Sequence, residues 1–161
     1  MVGLLLPGDF MGRPHRETIE CDVVAETDVM LCCFRRKPFE QMIENTPHVG
    51  QRLLEMTLDE LDAAREWMLV LGRKTAREKI ASLLHMIAVR MASLKPGETA
   101  QTTFTLPITR ETMANYLGLT IETVSRQMSA LKKDGLIAFE DRRDIRVPDL
   151  EALKAETGED F

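Results

Sequence analysis

Apolar positions fall in two different rhythms along this chain. From Val2 to Phe34 they come in short clusters, broken by Pro7-Gly8-Asp9 and by Gly12-Arg13-Pro14-His15-Arg16. β-branched residues gather in Cys21-Asp22-Val23-Val24 and Val29-Met30-Leu31. Short apolar runs between turn signals predict strands and turns. Three or four strands are too few to close a barrel, and the chain opens directly in one. Residues 1–46 are therefore expected to be the C-terminal part of a larger β domain, N-terminally truncated, with an unpaired sheet edge.

After Pro47 the rhythm becomes helical. Gly50, Leu54, Thr57, Leu61, Ala64, Met68 and Leu71 recur at alternating steps of four and three, the seam of a coiled coil. A second stripe of Val49, Leu53, Met56, Ala63, Trp67 and Val70, interrupted by Glu60, runs beside it. One contact does not use that much apolar width. The expectation is that one stripe faces the same helix of a twin subunit, with Leu54, Leu61, Ala64, Met68 and Leu71 as dimerisation residues, and the other faces the chain's own β domain. A core helix of a monomer is the plain alternative.

Gly72-Arg73-Lys74 interrupts the pattern, and Thr75-Ala-Arg-Glu78 has the spacing of a capping box, so a new helix is expected from about Ala76. Ile80, Leu83, Leu84, Ile87 and Met91 form its apolar face. Lys95-Pro96-Gly97 ends it, Phe104-Thr-Leu106 reads as a strand, and Thr109 and Thr120 are expected to cap two short helices that meet at Gly118. Gly135-Leu-Ile-Ala-Phe139, a charged turn from Glu140 to Asp144, and Ile145-Arg-Val147 predict a small hairpin wing. The expected organisation is a β remnant over 1–46, a dimerisation helix over 47–72 and a winged helix-turn-helix over 73–161. The class is α+β.

The two short helices carry the chemistry. Residues three and four apart on a helix are neighbours, so Glu122, Ser125 and Arg126 share one face while Ile121, Val124 and Met128 are expected to turn toward a core. In the major groove Arg matches the two acceptors of guanine, Glu accepts from the cytosine amino group, and Ser serves several base edges. Glu122, Ser125 and Arg126 are thus the expected base readers. Thr109, Arg110, Thr120 and Thr123 lie near helix starts, where hydroxyls, amides and the helix dipole suit phosphate oxygens, so they position without specifying. The plain alternative for Glu122 and Arg126 is an i,i+4 surface pair worth about 0.3 to 0.5 kcal/mol.

Charge changes this picture only slightly. The net charge is −5, which argues against indiscriminate nucleic-acid binding. Between Arg110 and Arg146 seven basic residues face six acidic ones. A mildly basic module needs a second copy for affinity, which suits a homodimer on double-stranded DNA with two-fold half-sites about one helical turn apart. No apolar run approaches the roughly 20 residues of a membrane span, so no membrane is expected and a cytoplasmic location is. Cys21, Cys32 and Cys33 are an odd set unsuited to a disulfide framework, leaving reduced thiols or metal ligands. His15, His48 and His85 fall in separate elements without catalytic or metal-ligand spacing, and Gly72-Arg-Lys-Thr75 lacks the upstream Gly of a phosphate loop, so an enzyme is not expected.

Taken together, these motifs resemble the CRP/FNR family of bacterial transcription regulators through nearly the whole chain. Pro7-Gly-Asp-Phe-Met-Gly12 looks like the loop of that family's sensory, cyclic-nucleotide-binding-like β-roll, Pro47 to Leu71 like its dimerisation helix, and the motif helices like its winged DNA-binding domain. Ile121-Glu-Thr-Val-Ser-Arg126 is similar to the fumarate and nitrate reduction regulator branch, in which Glu, Ser and Arg read a TTGAT-type half-site. The cyclic-AMP receptor branch typically has Arg and Gly where Ile121 and Ser125 stand. Arg13-Pro-His-Arg16 offers no phosphate-holding Arg-Ser pair, so a cyclic nucleotide is not expected. The resemblance implies RNA polymerase as a partner, and oxygen or redox sensing through a 4Fe–4S cluster in the intact protein. Cys32 resembles the central cluster ligand, and the remaining ligands would lie upstream of Met1, so this chain alone is expected to hold no cluster. Cys32 and Cys33 as half-buried strand residues is the alternative. Cys21 and Cys33 take no role from the resemblance. A cluster-free regulator, or a dimerising interaction protein without a working sensor, is the other reading.

Overall fold

The computed structural model describes residues 3–93, 102–141 and 143–158. The expected helix stop at Lys95-Pro96-Gly97 lies outside them. The chain divides into two compact units, one of residues 10–68 and one of residues 1–9 with 69–161.

In the first unit, none of the described residues of the expected β region forms a strand. This corrects the reading of residues 1–46 as strands. A strand is stable only when its amides and carbonyls find a neighbour. The β-branched segments have none here, and Val24, Val29 and Met30 stand exposed. The region instead holds an unanticipated helix, α1 (Arg36–Asn45). Its Pro38 is tolerated because a first-turn amide has no helical partner to lose. Arg36 pairs with Glu40 one turn on, at 3.3 Å. Phe39 holds the inner face, with its ring 5.6 Å from Phe10 and 5.5 Å from Phe34.

Pro47 opens α2 (Pro47–Arg73), a single helix of 27 residues. Gly72 does not break it, because one glycine in a last turn costs only about 1 kcal/mol. The stop comes after Arg73, inside the expected interruption, and Thr75 caps the next helix. Along α2 the expected seam is open to solvent: Leu54, Leu61, Ala64, Met68 and Leu71 are all exposed, Met68 by 73%. From the second stripe, Val49, Leu53, Met56 and Trp67 are half-buried and Val70 is buried, while Ala63 is exposed.

The second unit contains α3 (Ala76–Ser93), β1 (Thr102–Thr105), α4 (Arg110–Leu117), α5 (Ile121–Lys133), β2 (Ala138–Phe139), β3 (Asp144–Val147) and α6 (Leu150–Ala155). The capping box forms as expected. The Thr75 amide donates to Glu78 Oε2 at 2.7 Å, and the Glu78 amide donates to Thr75 Oγ1 at 3.4 Å. Ile80, Leu83, Leu84 and Ile87 of α3 are fully buried, as are Met113, Leu117, Val124, Met128 and Leu131 of the motif helices, with α3 packed against α5. Burying side chains of this size contributes about 1.5 to 3 kcal/mol each before entropy is counted. The three strands lie in the order β1-β3-β2, antiparallel, with Phe104 opposite Ile145 and Ala138 opposite Arg146. The wing is therefore real but short on its β2 side. α6 was not anticipated, although Asp149 announces it, accepting from the amides of Glu151 and Ala152. Finally, the Pro7-Gly8-Asp9 turn fastens to α3 through an Asp9–Arg90 ion pair and buries Leu6.

Candidate nucleic-acid interface

Local capping builds the paired helices. Thr109 Oγ1 accepts from the Thr112 amide at 3.0 Å and starts α4. Gly118, at φ 65°, ends it in the left-handed region, where a side chain would strain the backbone. The Leu119 amide then donates to the Ala114 carbonyl at 2.9 Å, closing a tight turn. Two residues after Gly118, Thr120 Oγ1 accepts from the Thr123 amide at 3.3 Å and starts α5.

That geometry fixes which side of α5 faces out. Val124, Met128 and Leu131 are fully buried. Glu122 and Arg126 are exposed and Ser125 is half-exposed on the opposite side. All three expected base readers thus share one accessible face. Among the described residues neither Glu122 nor Arg126 takes part in an ion pair, so the i,i+4 surface pair is not what holds them. Ile121 departs from expectation. It is 44% exposed rather than turned to the core, because it lies one turn before Val124, where the buried stripe has ended. It therefore stands one turn from Ser125 on the accessible side, an apolar neighbour to the polar trio.

The residues expected to meet phosphate lie at the starts of α4 and α5. Thr109 and Thr123 are half-exposed, and Arg110 and Thr120 are exposed. The hydroxyls of Thr109 and Thr120 are already engaged as caps, which fixes the helix starts, where first-turn amides lack helical partners. On the wing, Arg146 pairs with Glu140 at 3.3 Å and Thr105 donates to Asp144 at 2.6 Å.

Periodicity gave no sign of the residue that fastens the far end of α5. Arg77, at the start of α3, reaches Asp134 at the end of α5 at 2.8 Å and also pairs with Glu156 at the end of α6. Burial works against its charge, but the hydrogen bonds and charges of the two carboxylates outweigh this and raise its pKa. Three helix termini are thereby joined by one guanidinium.

Cys21, Cys32 and Cys33 are free and exposed, so the half-buried strand reading of Cys32 and Cys33 does not hold. Among the described residues no three His, Cys, Asp or Glu side chains are grouped to hold a metal, and no helix is long and apolar enough to cross a membrane. This donor set does not fit a four-thiolate cluster.

Residues 78–156 match the model of the Crp-like helix-turn-helix domain. The chain is 68% identical to the transcriptional activator protein FnrL of Cereibacter sphaeroides, over 99% of this chain and 65% of that protein. It is 33% identical to the nitrogen fixation regulation protein FixK of Rhizobium meliloti, over 96% of this chain and 67% of that protein. The structure of FixK2 from Bradyrhizobium japonicum superposes with a TM-score of 0.66 at 32% identity, covering 78% of this chain and 60% of that one. The chain thus spans about two thirds of the length of these relatives. The matched domain, and shared sequence along two thirds of the Rhizobium meliloti protein, establish that this chain belongs to the CRP/FNR family of transcription regulators.

Proposed function

We propose that this chain acts in a sequence-specific, DNA-binding transcription regulator that works as a homodimer. The observation that carries this reading is the division of α5. One side is sealed into the core by Val124, Met128 and Leu131, and the other presents Glu122, Ser125 and Arg126 to solvent. Laid in the major groove, Arg126 would donate to guanine, Glu122 would accept from cytosine, and Ser125 with the neighbouring Ile121 would meet other edges, including a thymine methyl. Thr109, Arg110, Thr120 and Thr123 would hold backbone phosphates. The exposed seam of Leu54, Leu61, Ala64, Met68 and Leu71 would bring two such modules together on a two-fold site. The names of the relatives, an activator and a regulation protein, support this reading, with RNA polymerase as a further partner and the cytoplasm as the setting.

The test is Arg126→Ala, titrated against a duplex bearing two inverted TTGAT half-sites and against a scrambled duplex. Each base interaction removed should cost about 1 to 3 kcal/mol on the two-fold site and little on the scrambled one. Unchanged affinity for the two-fold site would contradict the assignment.

Oxygen or redox sensing through a 4Fe–4S cluster would belong to the intact protein. Three exposed, ungrouped cysteines supply one thiolate too few, so Cys32 would need partners from outside this chain. The same observation favours the second reading, a cluster-free regulator. Anaerobic incubation of this chain with iron and sulfide should leave it colourless, and a visible absorption band would count against that expectation.

A further inference from the structure

Phe139 ends β2 on the wing, half-buried, and two cations lie against its ring. The Arg110 guanidinium carbon is 5.8 Å from the ring centroid and the Lys132 ammonium nitrogen is 5.6 Å from it. Arg110 is the first residue of α4 and Lys132 belongs to the last turn of α5. Chain folding has therefore collected like charges from two helices on one side chain, no more than about 11 Å apart.

Exposed charges this far apart are largely screened by salt, so the repulsion between them is small. The negative face of the ring attracts each cation and offsets part of that repulsion. Carboxylates do not complete the job. Among the described residues neither Arg110 nor Lys132 is ion-paired, whereas Arg77 and Arg146 both are. Both side chains are exposed. Two exposed cations beside one ring, neither ion-paired among the described residues, suit the successive phosphates of a backbone passing the wing. They also flank the base-reading face: Lys132 lies two turns beyond Ser125, about 10 Å along the helix axis. Arg110 adjoins the Thr109 cap.

We infer that Arg110, Phe139 and Lys132 form a clamp for the phosphate backbone of double-stranded DNA. In this clamp Lys132 touches phosphate directly and Phe139 is a positioning residue that acts through both cations. This rests on the DNA-binding reading above and adds two residues to it. Because phosphates carry no sequence information, the clamp strengthens binding to every duplex alike. It also raises the number of counterions released on binding.

The experiment measures affinity of the 161-residue chain for the TTGAT two-fold duplex and for a scrambled duplex across a salt series. Lys132→Gln should weaken both by the same factor and make the slope of log K against log salt shallower by about 0.9 for each phosphate no longer neutralised. Phe139→Leu, which keeps the apolar bulk, should shift the slope in the same direction by a smaller amount. Lys132→Arg should restore the wild-type slope. A fold defect would lower affinity without moving the slope, so weaker binding at an unchanged slope in both variants would overturn the clamp and leave the DNA reading standing. A wild-type chain that binds neither duplex would overturn both.

Discussion

The Glu78 carboxylate accepts from the backbone amide and the hydroxyl of Thr75, both at 2.7 Å, and these bonds hold its pKa below the ordinary glutamate range. The folded state therefore releases this proton more readily than the unfolded chain does. Its contribution to stability is fully present above the unfolded pKa and is lost as pH falls through the lowered folded value. The site is solvent-accessible, so the contribution should be under about 1 kcal/mol. Glu78→Gln should reduce stability in urea unfolding at neutral pH, and the gap from wild type should close in acid. A gap that stayed constant with pH would mean that the charge is irrelevant. The caps at Thr75, Thr109 and Thr120 were legible in sequence because capping involves residues three apart. The Arg77–Glu156 contact joins side chains 79 positions apart, and nothing in a local pattern announces it. Ile121 shows a related limit: a helical period tells which side is apolar, not where along the helix the core ends.

At the scale of elements, α2, α3, α4 and α5 were legible, whereas α1, α6 and the lack of strands among the described residues of 1–46 were not. A helix satisfies its own amides, so its sequence carries most of what it needs. A strand depends on a neighbour, and the apolar runs before Phe34 pair with none among the described residues. The strands that do form, β1, β2 and β3, find partners within their own unit. The same reasoning bears on α2. Its exposed Leu54, Leu61 and Met68 recur every seven residues, and nothing in the chain's own first unit covers them. If a twin helix does, Leu61→Glu should place a charge in the middle of the seam and convert dimer to monomer in sedimentation equilibrium. A wild-type chain that is monomeric under every condition would contradict the seam.

For the molecule as a whole, function rests on how little positive charge is available. A net charge of −5 gives no general attraction to nucleic acid, so in the proposed reading affinity would come from placed contacts and from two modules acting together. The accessible face that carries Glu122, Ser125 and Arg126 was legible from spacing alone, because the turn at Gly118 and the buried stripe of α5 leave that side free. The ring-held cations were not, since they depend on where the wing packs. The most direct test of the central claim replaces the guanine of each TTGAT half-site with 7-deazaguanine, which removes one acceptor and leaves base pairing intact. The wild-type chain should lose about 1 to 3 kcal/mol per half-site. Arg126→Ala should lose nothing further on the substituted duplex. An equal loss in both proteins, or none in the wild type, would mean that Arg126 does not read that base.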